Sequence, residues 1–249
     1  QNRTDLLEPV LTKASDLQSL QKDGENLLTY IVSHNLNAQL IDVLQRHNFD
    51  FEAENQKKQT ALDIAVENKN IEFIEKLIAG GADLNRIADH KTYLMRLSYD
   101  DSEITDLLIK NKPNTDFVAP NGATVLMAAV GNLNTGLIDY LTTDNKEIDK
   151  TDQDGNTALM YLIDALNTYR DTTHDFLVSR VRTIAQTLIN KGADVNVRNA
   201  DGETILIRLA KNCPDLYMEI ADIFYGFGAD SSLKDQAGKT SKDYLSQKK

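Results

Sequence analysis

Several things are scarce in this 249-residue chain, and each scarcity excludes a class of protein. Cysteine occurs once, at Cys213, so no intrachain disulfide forms and no cysteine cluster holds zinc. Its context, KNCPD, reads as a small apolar residue at a helix junction, with Pro214 opening the next helix. No stretch approaches the roughly 20 apolar residues needed to cross a bilayer. QNRTDLLEP at the start has no apolar core, so no signal peptide is visible. It also has no initiator Met, which reads as a trimmed N-terminus. A cytoplasmic location is expected, with export left open. Positive charge is short as well: 27 Lys and Arg face 38 Asp and Glu, a formal charge of -11. Such a surface repels phosphate backbones, so nucleic acid is not an expected partner. It suits a basic protein surface, or serves solubility alone.

What is present is a repeat. DGENLLTYIV, KKQTALDIAV, DHKTYLMRLS, PNGATVLMAAV, DQDGNTALMYLI and NADGETILIRLA align on one polar anchor, and DQAGKTSKDYL begins a partial copy. The anchors are Asn26, Thr60, Thr92, Thr124, Thr157, Thr204 and Thr240, spaced 34, 32, 32, 33, 47 and 36 residues apart. A period near 33 is that of stacked supersecondary units. A second signature follows the anchor, as GGADLN, KGADVN and FGADSS.

Each unit reads as two helices and a turn. The anchor Thr suits an N-cap, Thr157 for example. Short first helices follow, Ala61 to Asn68 and Ala158 to Ala165. Second helices carry apolar residues at helical spacing, such as Ile71, Ile74, Leu77 and Ile78. Gly81, Gly192, Gly228 and Asn48 stand where a helix ends in a left-handed residue. Asp154-Gly155 and Asp201-Gly202 form turns.

On these motifs the chain resembles the ankyrin-repeat family, over about Asp23 to Leu245. The implied fold is an all-α ankyrin solenoid. It comprises a helical cap over 1–22 and six repeats at about 23–56, 57–88, 89–120, 121–151, 152–198 and 199–234. A capping half-repeat and tail occupy 235–249. The chain departs from the family pattern in two ways. No copy has Pro after the Thr, and the family's His is replaced by Asp63, Met95, Met127, Met160 and Ile207. That implies a more apolar seam with Met filling gaps. The third and fourth copies lack the helix-ending glycine, so their hairpins are expected to be irregular.

No catalytic, cofactor or metal motif is complete. AGKTS ends like a phosphate loop, but the required first glycine falls on Leu233. GFG at 226–228 follows a helix rather than a strand. DQDGN places Gly155 fourth where a calcium loop needs its glycine sixth, and Ile163 where it needs Glu. No two of His34, His47, His90 and His174 share ligand spacing. The expectation is no enzyme, no cofactor and no metal.

The resemblance implies a concave groove lined by hairpin tips and by the ends of the first helices. Its candidate residues are Lys57, Gln59, Glu67 and Asn68; Asp89, Lys91, Tyr99 and Asp100; Asn121, Ala123 and Asn132; Gln153, Asp154, Asn156 and Asp164; and Asp201, Glu203, Lys211 and Asn212. Tyr99 reads either as a binding hot spot or as a ring packed on the neighbouring first helix. Asp89, Asp100, Asp154 and Asp164 make a central acidic strip, which favours a basic partner.

One interval does not fit. Thr157 to Thr204 is about 14 residues too long, and the excess lies near 165–180. Leu162, Ile163, Leu166 and Tyr169 continue a first helix; Phe176, Leu177, Val181, Ile184, Ala185 and Leu188 lead a second. Thr173 or Asp175 serves as N-cap. A protruding αα-hairpin is expected, on the face away from the groove. It packs Tyr169 on Phe176, or offers Tyr169, His174 and Phe176 as a secondary surface, for self-association among other contacts. The third reading, an enzymatic lid, lacks a partner for His174. The functional expectation is a monomeric, non-catalytic protein-binding module. The alternative is the repeat portion of a larger bacterial effector or enzyme.

Overall fold

A computed structural model describes residues 20–143 and 148–246. The expected N-terminal cap lies largely outside these residues. The chain forms two compact units, 1–86 and 87–249.

In the first unit the described residues open with a hairpin, where the cap was expected to end. Strands β1 (Gln21–Lys22) and β2 (Glu25–Asn26) pair antiparallel, with Gln21 opposite Asn26. Asp23 and Gly24 turn between them at φ 53 and 82, the two-residue turn whose twist matches the strands. Helices α1 (Leu27–Ser33), α2 (Gln39–Arg46), α3 (Ala61–Glu67) and α4 (Ile71–Gly80) follow. Thr60 caps α3 reciprocally: its hydroxyl accepts from Asp63 N at 3.2 Å and Asp63 accepts from Thr60 N at 2.9 Å. Gly81 ends α4 at φ 104, and Asn48 takes the matching place after α2 at φ 52. Helix α1 packs on α3 and α2 on α4, so first and second helices form separate rows. Leu28, Ile41, Leu44, Leu62, Ile74 and Leu77 lie between them, at most 1% exposed. Each contributes about 1.5–3 kcal/mol of burial.

The second unit repeats this scheme with one defect. Its first pair has no first α-helix; a single 3-10 turn, Leu94–Arg96, stands there. The sequence explains the break. Ser98 N and Oγ both donate to the Asp101 carboxylate, at 2.9 and 3.1 Å, so local side-chain bonds displace the helical ladder. Leu97 turns extended with ψ 134 and stays buried. Helices α5 (Ser102–Lys110), α6 (Val125–Gly131), α7 (Thr135–Leu141), α8 (Ala158–Thr168), α9 (His174–Asn190), α10 (Ile205–Asn212), α11 (Tyr217–Gly226) and α12 (Ser241–Ser246) complete the unit. The row α6, α8, α10, α12 packs in sequence, and so does α5, α7, α9, α11. Lys112 takes the helix-ending position without a glycine, at φ 54. The corresponding residues of the next pair, 144–147, lie outside the described ones.

Three local expectations need correction. Thr157 stands at the N-cap of α8 but its hydroxyl makes no capping bond. Pro214 sits in a turn, and α11 opens later, at Tyr217. The seam is apolar at Met95, Met127, Met160 and Ile207, each at most 3% exposed, but Asp63 is equally buried and carries charge. It is matched by Arg86, whose Nε donates to it at 3.1 Å. Among the described residues no helix is long and apolar enough to cross a membrane.

Candidate functional site

Several hairpin tips are joined edge to edge by backbone bonds. Gln56 N donates to Gly24 O at 2.9 Å in the first unit; in the second, Gln153 N donates to Asn121 O at 2.9 Å, Ala200 N to Asp154 O at 2.7 Å and Gln236 N to Asp201 O at 2.9 Å. This ladder fixes one wall of a groove, and the first helices supply the other. Each unit holds a cavity there.

The cavity of the first unit, about 570 Å³, is polar. Lys57 and Gln59 line it, as expected, together with Glu67 and Asn68. Asp23 and Glu25 join them, so three carboxylates face one ammonium. Gln59 Nε2 donates to Glu67 at 2.8 Å and Ser33 Oγ to Glu25 at 2.9 Å.

The second cavity, about 500 Å³, brings together Asp89, Lys91, Asn121, Ala123, Asn132 and Asp164 from the expected set. Its floor is small and apolar: Ala119, Ala123, Ala128, Gly131 and Ala165, with Met95 and Pro120. Polar groups around the floor are already bonded within the protein. Asn132 Nδ2 donates to Met95 O at 3.0 Å, and Tyr161 Oη donates to Asp152 at 2.9 Å. Burial, then the Asp152 bond, raises the Tyr161 pKa and keeps the phenol protonated. Free hydrogen-bonding capacity is concentrated at the lip, on Asp89, His90 and Lys91. Asp89 and His90 occupy left-handed backbone at φ 50 and 61, in a turn where most other hairpins use glycine and one uses Lys58, at φ 63.

Several expected groove residues are used otherwise. Asn156 and Glu203 are buried, at 8% and 3% exposure. Asn156 Oδ1 accepts from Asn199 Nδ2 at 3.0 Å and Arg208 Nη1 at 3.2 Å. Glu203 meets Lys211 Nζ at 2.5 Å and Arg208 Nη1 at 3.4 Å. Its bond to Lys211 raises the lysine's pKa, so neither group is a free groove charge. Asp164 is bound by Arg208. Burial opposes the Arg208 charge, but Asp164 and then Glu203 outweigh it and hold its pKa above the usual value. Asn212 is half-buried at the end of α10, while Gln153, Asp154 and Asp201 are exposed at tips.

Tyr99 and Asp100 leave the groove. Tyr99 packs edge-on against Tyr169, ring centroids 5.5 Å apart, and lies 5.2 Å from Phe176. Asp100 accepts from Ser98 Oγ in the same loop. The acidic strip therefore shrinks: Asp164 is neutralised, Asp100 lies elsewhere, and Asp89 and Asp154 remain. Tyr169 and Phe176 meet through Tyr99, which comes between them, and His174 pairs with Glu219 at 2.8 Å.

The sequence reading missed His90, Met95, Ala128, Gly131, Tyr161, Ala165 and Thr168. A signal existed: Tyr161, Asp164, Ala165 and Thr168 are spaced i, i+3, i+4, i+7, a single helix face. Small residues on such a face read as core, which hid the floor. Among the described residues no three His, Cys, Asp or Glu side chains gather as a metal site.

A family model described as ankyrin repeats (3 copies) matches residues 1–88 and 94–172. No curated protein matches. Among solved structures, the chain is similar to the ankyrin repeat domain of Bcl-3, described as a unique member of the IkappaB protein family. Identity is 20%, the match covers 90% of this chain and 98% of that one, and the TM-score is 0.67. At that identity the likeness speaks for the fold.

Proposed function

This chain belongs to the ankyrin-repeat family, and on that footing we propose that it is a non-catalytic module that binds a partner protein in its groove. The observation that carries this reading is the cavity of about 500 Å³ between the hairpin tips and the first helices. Its floor is apolar and its surrounding polar groups are satisfied internally, so an apolar side chain entering it loses water without stranding a donor or acceptor. Such a pocket suits one buried anchor residue of a partner, ringed by polar contacts. The cavity of the first unit adds charge: Asp23, Glu25 and Glu67 against Lys57 favour a basic segment there.

Affinity capture from the native host, run in parallel with wild type and Ala128→Arg, tests the reading. The arginine fills the cavity floor from a half-exposed position on α6. A partner held by wild type and lost by the variant is the expected result. A partner retained equally by both places binding elsewhere and overturns it. Raising ionic strength is expected to weaken capture; indifference to salt removes the basic-partner component.

A further inference from the structure

Helices α8 and α9 are 11 and 17 residues long, against 7 and 10 for α3 and α4. Their additional length could have projected into solvent. It folds back instead. Tyr169, the C-cap of α8, and Phe176 on α9 both hold the Tyr99 ring. Arg180, one turn after Phe176, lies over both rings, 5.5 Å from the centroid of Tyr99 and 5.6 Å from that of Phe176. Its Nε donates to Leu133 O at 3.0 Å and its Nη2 to Thr135 Oγ1 at 3.2 Å. Burial pulls its pKa down, which is the cost of keeping a guanidinium there.

These contacts reach the groove through one residue. Asn132 O accepts from Tyr99 N at 3.1 Å and from Tyr169 Oη at 3.4 Å. The Asn132 side chain donates to Met95 O at 3.0 Å. Asn132 and Met95 line the cavity, as does Thr168, the neighbour of Tyr169. The wall so held lacks the first α-helix that the other described pairs have. Leu94–Arg96 is one 3-10 turn where other pairs have a helix, and such a turn has little stability of its own. The far side of the hairpin is anchored separately, by Arg170–Asp215, His174–Glu219 and Arg182–Asp222. These pairs are exposed and contribute little to stability.

We propose that the α8–α9 hairpin is a positioning element for the groove: Tyr169, Phe176 and Arg180, acting through Tyr99 and Asn132, hold the 94–99 wall of the cavity in shape. The inference rests on the groove reading for its purpose, but its physical content is testable without a partner.

Hydrogen exchange on the full chain reads the wall directly. In Phe176→Ala, the amides of residues 95–99 are expected to exchange roughly 10-fold faster, with α3, α4 and α10 unchanged. Tyr169→Phe keeps the ring and removes one donor to Asn132 O, so a smaller acceleration of the same amides is expected. Arg182→Gln, on the far side, is the control and leaves 95–99 unchanged. A polarity-sensitive thiol dye on Asn121→Cys, at the exposed edge of the cavity, shifts its emission in Phe176→Ala and Tyr169→Phe but not in Arg182→Gln. That readout does not respond to general loss of stability. Acceleration confined to 169–180, or spread evenly over all helices, overturns the proposal; so does a dye indifferent to both aromatic variants. Should Phe176→Ala fail to fold, Tyr169→Phe alone decides. Failure of the groove reading shows itself in capture by Ala128→Arg and leaves the exchange result standing, so the two failures are distinct.

Discussion

Arg208 clasps Asp164 with two donors, Nε to Oδ1 at 3.2 Å and Nη2 to Oδ2 at 2.7 Å. The same guanidinium reaches buried Glu203 and Asn156, so one side chain on α10 ties down an acid on α8 and another at the head of its own helix. Removing it is expected to hurt more than removing the exposed acid, Asp164. Arg208→Met leaves buried Glu203 with Lys211 and the long Asn199 Nδ2 bond, and is expected to lose about 1–3 kcal/mol in urea unfolding. Asp164→Asn, at a carboxylate 44% exposed, is expected to cost under about 1 kcal/mol. Equal losses in the two variants count against the ranking.

The tip ladder makes a second comparison. Gly122 sits at φ +85, and a Cβ there would lie 2.8 Å from Gln153 N, the donor of the tip bond to Asn121 O. Gly192 sits at φ +102 with nothing within 4 Å of a Cβ. Gly192→Ala therefore pays conformational strain alone, about 1–2 kcal/mol. Gly122→Ala adds a clash with backbone that has no freedom to yield, for on the order of 3 kcal/mol. Thermal unfolding of both variants checks the order; Gly192→Ala being the worse is the contrary result.

Cys213 supplies a pH signature. Burial, helped by Asp215, pushes its thiol from 9.0 up to about 11, against the opposing pull of Arg170 and the Asn167 bond. A raised acid pKa means that the fold favours the neutral thiol. Its contribution is complete below the unfolded pKa and is lost as pH climbs through 9 toward 11. Between about pH 8 and about pH 10.5, wild type is expected to lose on the order of 2 kcal/mol more than Cys213→Ala. Other alkaline titrations cancel in that difference. Parallel pH curves for the two proteins sink the assignment.

Much of the fold was legible because backbone chemistry is local. Left-handed Gly81, Gly192, Gly228 and Asn48, the anchor caps at Thr60 and Thr204, and the lengthened helices on either side of 169–173 all follow from neighbouring residues. The 3-10 turn at Leu94–Arg96 was not legible: alignment of the repeats placed a first helix there, and the Ser98–Asp101 bonds that break it leave no mark on the period. The groove was half legible. Lys57, Gln59, Asp89, Lys91, Asn121 and Asp164 line the cavities, since turn positions, and the first-helix position of Asp164, map directly from the period. Asn156 and Glu203 did not, because burial of a polar residue depends on partners such as Arg208 that phase alone does not reveal. Tyr99 was ambiguous for the same reason: its ring partners lie about 70 residues later in the chain.

The contact between Tyr99 and Phe176 also bears on how such a chain changes length. Arrays whose units touch only their neighbours can lose an inner unit, or duplicate one, and close over the change. Here the rings meet across the α6–α7 pair, which lies between them in the chain. Deleting that pair removes Asn132, Leu133 and Thr135, the acceptors of the brace; duplicating it carries the rings out of reach. The unit count between Tyr99 and Phe176 is thus tied to a side-chain contact, which the insertion or loss of a whole unit within that interval breaks.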